Sequence, residues 1–170
     1  MSQIKIYSTG RVDESFRATA MKRFGYGRGA ISKAAEEALI RWTSTIYTIN
    51  SLIEKIVEKS KKDNRILAVV LFGSYARKEA NFRDVDIGLL LYKSEDSFKV
   101  YSDYTAFLGG ENYMDLSIIN SLPADVKSSI FNDAVVLYCS NDSALYDYTI
   151  NLIKRSADSR HILQEALRTV

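Results

Sequence analysis

The sequence holds one cysteine, one proline, one histidine and one tryptophan among 170 residues. A lone cysteine has no partner for an internal disulfide, which makes the reducing cytoplasm the expected location. Cys139 lies in the apolar run 134–139 and reads as a core thiol. A zinc centre of histidine and cysteine has almost nothing to be built from. A Ser/His/Asp triad would have to use His161, which follows Arg160 on a polar C-terminal stretch and reads as a surface residue. No apolar run approaches the ~20 residues that cross a bilayer, so no membrane contact is expected. Met1 to Lys5 lacks the apolar stretch of a signal peptide. There is no internal repeat and no low-complexity segment. Catalysis, if the chain performs any, must run on carboxylates, hydroxyls and cations.

A length of 170 residues suits one ordinary domain, or one compact domain with a small appendage, and 46% hydrophobic with 26% charged residues is a soluble globular composition. The net charge of +2 is unevenly spread. Residues 1–48 carry eight Lys/Arg against four Asp/Glu, and the remainder carries 15 against 17. A basic N-terminal part on a slightly acidic body points to two parts with different partners.

Polar and apolar residues alternate over 3–8, the period of a half-buried strand. A helix follows from Asp13 to Phe24, broken by Gly25-Tyr26-Gly27-Arg28-Gly29. A second helix, capped by Ser32, carries Ile31, Ala35, Ala38, Leu39 and Trp42 at helical spacing. The β-branched stretch 43–48 is weak as a helix and places a boundary there. Leu52 to Lys62 reads as a separate amphipathic helix. Beyond it, the apolar run Ile66 to Phe72 predicts a buried strand. Further strands are expected over 85–91, 113–119 and 135–138, and helices over 94–108, 123–131 and 142–167. The expected fold class is α/β (α+β). A mixed sheet with flanking helices occupies 49–170, preceded by a strand–helix–helix segment over 1–48.

The residues that carry chemistry cluster in the second part. Asp84-Val85-Asp86 heads a strand, where residues two apart share a face. Two adjacent like charges are costly unless a cation neutralises them, and an oxygen-only donor set suits Mg²⁺. Upstream, Leu71-Phe72-Gly73-Ser74-Tyr75-Ala76-Arg77 runs from a buried strand through Gly-Ser into a helical turn. Glycine lets a backbone approach a phosphate, and free N–H groups with a serine hydroxyl make an anion site. Asp115 places a charge inside the apolar strand 113–118, which is expensive unless compensated.

Gly73-Ser74, nine residues, Asp84-Val85-Asp86, then Asp115 on a later strand resembles the DNA polymerase beta-type nucleotidyltransferase superfamily, and in particular its minimal members. Roughly residues 60–165 share the likeness, which includes Met114-Asp115-Leu116, Leu122-Pro123 and the segment 130–138. The resemblance implies that Gly73 and Ser74 hold the β- and γ-phosphates of ATP. It implies that Asp84 and Asp86 bind metal, two Mg²⁺ ions in all, and that Asp115 completes the metal site and activates the nucleophile. Arg77 and Lys78 are candidate triphosphate contacts. The chain departs from the pattern in three places: nine rather than ten residues between Gly-Ser and the first aspartate, Arg83 in place of Ser or Thr, and Lys78 in place of Gly.

The N-terminal part resembles a ribbon-helix-helix DNA-binding module in Gln3 to Tyr7 and Gly27 to Leu39. That likeness implies a homodimer whose paired strands enter a major groove. Ile4 and Ile6 would then face inward, and Gln3, Lys5 and Tyr7 would face bases. Arg28 and Lys33 would lie near a phosphate at the start of the second helix. Minimal nucleotidyltransferases often act on a partner protein, and many accompany a HEPN-type toxin as antitoxins that adenylylate a toxin tyrosine or simply bind it. The reading for this chain is an adenylyltransferase antitoxin that also represses its own operator. Transfer to a small molecule of the aminoglycoside kind, and a nucleotide-binding repressor without catalysis, are the alternatives.

Overall fold

A computed structural model of the chain describes the backbone of residues 5–80, 82–110 and 113–168, with side chains to Arg155. Gln3, Ile4 and the side chain of His161 lie outside the described residues. The chain divides into two compact units, Met1–Thr48 and Ile49–Val170.

In the first unit, Lys5 to Thr9 take no regular secondary structure. The strand expected there is absent from the described residues, and Ile6 does not face inward but is 62% exposed. A single ribbon has no neighbour within one chain to complete its hydrogen bonds. Helix α1 (Gly10–Phe24) starts three residues before Asp13, which instead pairs with Arg17 in the next turn at 2.7 Å. Helix α2 (Ala30–Lys61) starts before Ser32, which lies within the first turn rather than at a cap. Arg23 of α1 and Arg41 of α2 both reach Glu37, at 2.8 and 3.0 Å. The buried residues here are small, namely Ala20, Ala30 and Ala34.

The break expected at 43–48 does not occur, and the two expected helices are one of 32 residues. Thr43 and Thr48 turn their hydroxyls back onto carbonyls one turn earlier, at 2.9 and 3.0 Å, which satisfies them inside the helix. The apolar stripe then continues as Ile49, Leu52 and Ile56, all buried. Packing outweighs a weak local propensity.

The second unit is a four-stranded mixed sheet in the order β3-β2-β1-β4. Its strands are β1 (Ile66–Phe72), β2 (Val85–Leu91), β3 (Met114–Ile118) and β4 (Val135–Cys139). β1 pairs antiparallel with β2 and with β4, and β2 pairs parallel with β3. A parallel pair needs a crossover, which helix α4 (Ser97–Leu108) supplies. Gly109, left-handed at φ 66°, stops α4 as expected. One turn of helix, α3 (Gly73–Ala76), leaves the end of β1. Helices α5 (Ala124–Asp133) and α6 (Asp142–Arg168) flank β4 in the chain.

β1 is a continuous apolar run because both of its faces are covered. On one face, Ile49 and Ile56 of α2 and Val100 and Tyr104 of α4 pack with Val69, Leu71, Ile87 and Leu89. On the other, Ile130 of α5 and Leu145 and Tyr148 of α6 pack with Ala68, Val70 and Leu90. Cys139 packs half-buried at the edge of this second cluster, less enclosed than a core thiol. Gly88 has no room for a side chain, because a Cβ there would lie 2.7 Å from Ile119 and 2.9 Å from Val70. Where β3 ends, Asn120 continues its pairing with a side chain, accepting from Leu91 N–H at 2.8 Å and donating to Leu91 C=O at 3.0 Å. Arg65 ties the entry of β1 to Asp63 (2.7 Å) and to Asp103 on α4 (2.9 Å).

Candidate active site

The register of the sheet brings the acids together. Asp86, the second residue of β2, is the direct partner of Asp115 on β3 and of Phe72 at the end of β1. Cross-strand partners share a face. Both carboxylates therefore stand beside the point where β1 turns into α3. Asp84 lies one residue before β2 begins, on the loop rather than in the strand. Asp84 and Asp115 are exposed and Asp86 is half-buried.

Burial pushes the Asp86 carboxyl above the ordinary carboxylate value, and the charges of Asp84 and then Asp115 push it further. Arg77 pulls the other way more weakly. Asp86 thus feels both other acids, and the fold holds its negative charge at a cost.

Gly73 forms the other wall. Its φ is +73°, and a Cβ built on it would collide with the Asp86 carboxylate, coming within 2.8 Å of Asp86 Cγ. Only glycine lets the backbone lie against that acid in a left-handed conformation. The Gly73-Ser74 turn therefore begins against the Asp86 carboxylate. α3 is a single turn, so an anion held here would be met by local N–H groups rather than by a helix macrodipole.

The turn closes in a Schellman arrangement. Lys78 N–H donates to the Tyr75 carbonyl and Glu79 N–H to the Ser74 carbonyl, both at 3.0 Å. The position that favours glycine in such a cap is held by Lys78, at φ +59°. The guanidinium of Arg77 is occupied: it donates to Glu79 at 2.6 Å and to Asp133 at 3.0 Å. Glu79 is two residues away in the chain, whereas Asp133 is brought in from 56 residues away at the end of α5. Lys78 and Arg83 are exposed.

Among the described residues, no three acids, histidines or cysteines close into a ready-made metal cage. The donor set still fits Mg²⁺, which takes one or two carboxylates and fills its remaining positions with waters and substrate phosphates. Carboxylates on one side and a phosphate cradle on the other match that requirement.

The residues singled out in the first unit are dispersed. Lys5 and Tyr7 are exposed, with Lys5 Nζ 6.0 Å from the Tyr7 ring centre. Arg28 is exposed in the turn between α1 and α2, and Lys33 is exposed in the first turn of α2.

Acids paired across a parallel register, with a glycine-serine turn against one of them, form the kind of site at which a nucleotidyltransferase holds its triphosphate. The polymerase beta nucleotidyltransferase family model matches residues 54–143, and the chain belongs to that family. No curated protein matches the sequence. Among solved structures, the chain is similar to one from a toxin–antitoxin complex with AMP-PNP. That pair shares 18% identity and a TM-score of 0.48 over 68% of this chain and 98% of the other. It is also similar to a chain from the complex of tri-AMPylated Shewanella oneidensis HEPN toxin with MNT antitoxin, at 17% identity and a TM-score of 0.45 over 69% and 98%. A nucleotidyltransferase-like protein from Sulfolobus solfataricus gives 20% and 0.39 over 54% and 81%.

Proposed function

We propose that the chain transfers AMP from ATP to a hydroxyl of a partner protein, a tyrosine of a HEPN-type toxin, and acts as its antitoxin. The observation that carries the transferase reading is the contact of Gly73 with the Asp86 carboxylate, in register with Asp115. It sets a phosphate cradle beside a cation-demanding cluster. The acceptor reading rests on the sequence's resemblance to minimal nucleotidyltransferases and on the economy of the second unit.

Gly73 N–H and Ser74 Oγ hold the terminal phosphates, and the absent side chain at 73 lets them sit close to the acids. Asp84, Asp86 and Asp115 would hold two Mg²⁺ ions, whose chemistry is to neutralise the triphosphate and lower the pKa of the acceptor hydroxyl. Asp115, exposed at the edge of the sheet, takes the acceptor's proton. The acceptor oxygen forms a bond to the α-phosphorus while the bond from that phosphorus to its bridging oxygen breaks, and pyrophosphate leaves. Arg77, which also holds Glu79 and Asp133, and the exposed Lys78 are the candidate contacts for the outgoing phosphates.

The first unit adds a second role. We infer that residues 1–48 bind operator DNA as a homodimer, with Gln3, Lys5 and Tyr7 toward the bases and Arg28 and Lys33 on phosphates. The support is the +4 balance of this unit, its exposed cations and its exposed apolar residues Ile6 and Val12, which a second copy would cover. Labelling a HEPN partner with α-³²P-ATP tests the first reading. Gel shifts on the chain's own promoter, with and without residues 1–48, test the second. Equal DNA affinity for both proteins would remove the operator role.

A further inference from the structure

In the proposed site Ser74 and Asp84 serve one triphosphate from two different segments, whose relative placement then matters. Asp84 lies one residue outside β2: Val85 N–H donates to the Tyr113 carbonyl at 2.8 Å and holds its C-terminal side, while the loop on its N-terminal side lies outside the ladder. The described structure supplies another tether. The ring of Phe82, two residues before Asp84, stands edge-on against the ring of Tyr75, one residue after Ser74. Their centroids are 4.9 Å apart and their planes 78° apart. Both rings pack against the buried cluster beneath α2 and α4. The Tyr75 hydroxyl then donates to Asn50 Oδ1 of α2 at 3.2 Å. A chain of contacts thus runs from α2 through Tyr75 to Phe82, with one functional residue beside each ring.

We propose that Tyr75 and Phe82 are positioning residues that set the distance between the phosphate cradle at Ser74 and the metal-binding carboxylate of Asp84. Edge-to-face packing fixes both separation and angle, which a merely apolar contact does not. Neither ring touches the reacting atoms. Their effect reaches the reaction through Asp84, so it falls first on cation binding. The inference rests on the reading that Ser74 and Asp84 serve one nucleotide site.

The test uses the full-length protein in four forms: wild type, Phe82→Leu, Phe82→Tyr and Tyr75→Phe. Mn²⁺ binding is followed by electron paramagnetic resonance with no nucleotide present, and transfer from ATP is measured in parallel. All are read well below each variant's melting temperature. Phe82→Leu keeps apolar bulk but loses the ring. It should weaken Mn²⁺ binding about tenfold and lower kcat by about 10- to 100-fold, the scale of a small misplacement of a reacting group. Phe82→Tyr should restore both. Tyr75→Phe keeps the ring pair and should stay within about threefold of wild type, in line with the loss of one exposed hydrogen bond. If Phe82→Leu matches wild type in both readouts, or lowers only the melting temperature, the rings are packing alone and the inference fails. If the wild-type protein itself neither binds Mn²⁺ nor transfers, the shared-site reading fails and this inference falls with it.

Discussion

Lys78 occupies a backbone conformation that belongs to glycine, and that single fact yields a stability prediction of defined sign. At φ +59° its Cβ meets the following carbonyl, which costs an L-residue roughly 1–2 kcal/mol. Glycine escapes that penalty but brings about 0.5–1 kcal/mol of extra unfolded-state entropy. Lys78→Gly should therefore stabilise the protein by about 0.5–1 kcal/mol, or a rise in melting temperature of roughly 1–4 °C for a chain of this size. Lys78→Ala is the control, since it removes the charge and the stem but keeps the strain. It should leave stability within about 0.5 kcal/mol of wild type, as a surface substitution does. Urea unfolding followed by circular dichroism reads both. A higher midpoint for glycine with an unchanged slope, and no such gain for alanine, is the predicted pattern. A midpoint that falls with glycine, or rises equally with alanine, would refute the strain argument.

Gly73→Ala should do the opposite, since the new methyl must displace the Asp86 carboxylate and tolerate φ +73°. A loss of about 2 kcal/mol or more in stability, with transfer nearly abolished, is expected from urea unfolding and a labelling assay. Asp86→Asn should raise the melting temperature of the metal-free protein. The fold holds that carboxyl above its ordinary value, so the native state loses stability as pH climbs through the carboxylate range, and asparagine removes the loss. The same variant should lower transfer on the order of a thousandfold, several kcal/mol of charge stabilisation at about 1.4 per tenfold. Asp63 shows the reverse linkage. Its bond with Arg65 depresses the carboxyl below 3.8, so its contribution is complete above that pH and is lost as pH falls through the lowered value. Asp63→Asn should flatten the acid limb of a stability–pH curve, and an unchanged limb would show that the pair contributes nothing measurable.

The sheet was legible in the sequence because each strand is a short apolar run bounded by turn residues, and all four lie within a residue or two of the expected ends. Asp115 drew attention as a charge inside such a run, and Asp84 and Asp86 through the likeness of their spacing from Gly73-Ser74 to a family pattern. α2 was not, since the threonines at 43 and 48 are poor helix formers until their hydroxyls find backbone acceptors and Ile49 finds the core. The segment Lys5 to Thr9 has a strand's alternation but no neighbour in one chain to pair with. The ion pair of Arg77 with Asp133 and the ring contact of Tyr75 with Phe82 come from the tertiary fold rather than from spacing. Lys78 was visible as a departure from a glycine pattern, although the strain it bears appears only in the dihedral angle.

The central claim is that Asp84, Asp86 and Asp115 act with Gly73-Ser74 as one nucleotidyl-transfer site. Its most direct measurement is the transfer of label from α-³²P-ATP to a protein acceptor, with and without Mg²⁺, for wild type and Asp115→Asn. Label carried at the α-phosphate, dependent on Mg²⁺ and lost in Asp115→Asn while the far-UV circular dichroism spectrum is unchanged, is the predicted result. Equal labelling by the folded variant, or labelling from γ-³²P-ATP instead, would contradict it.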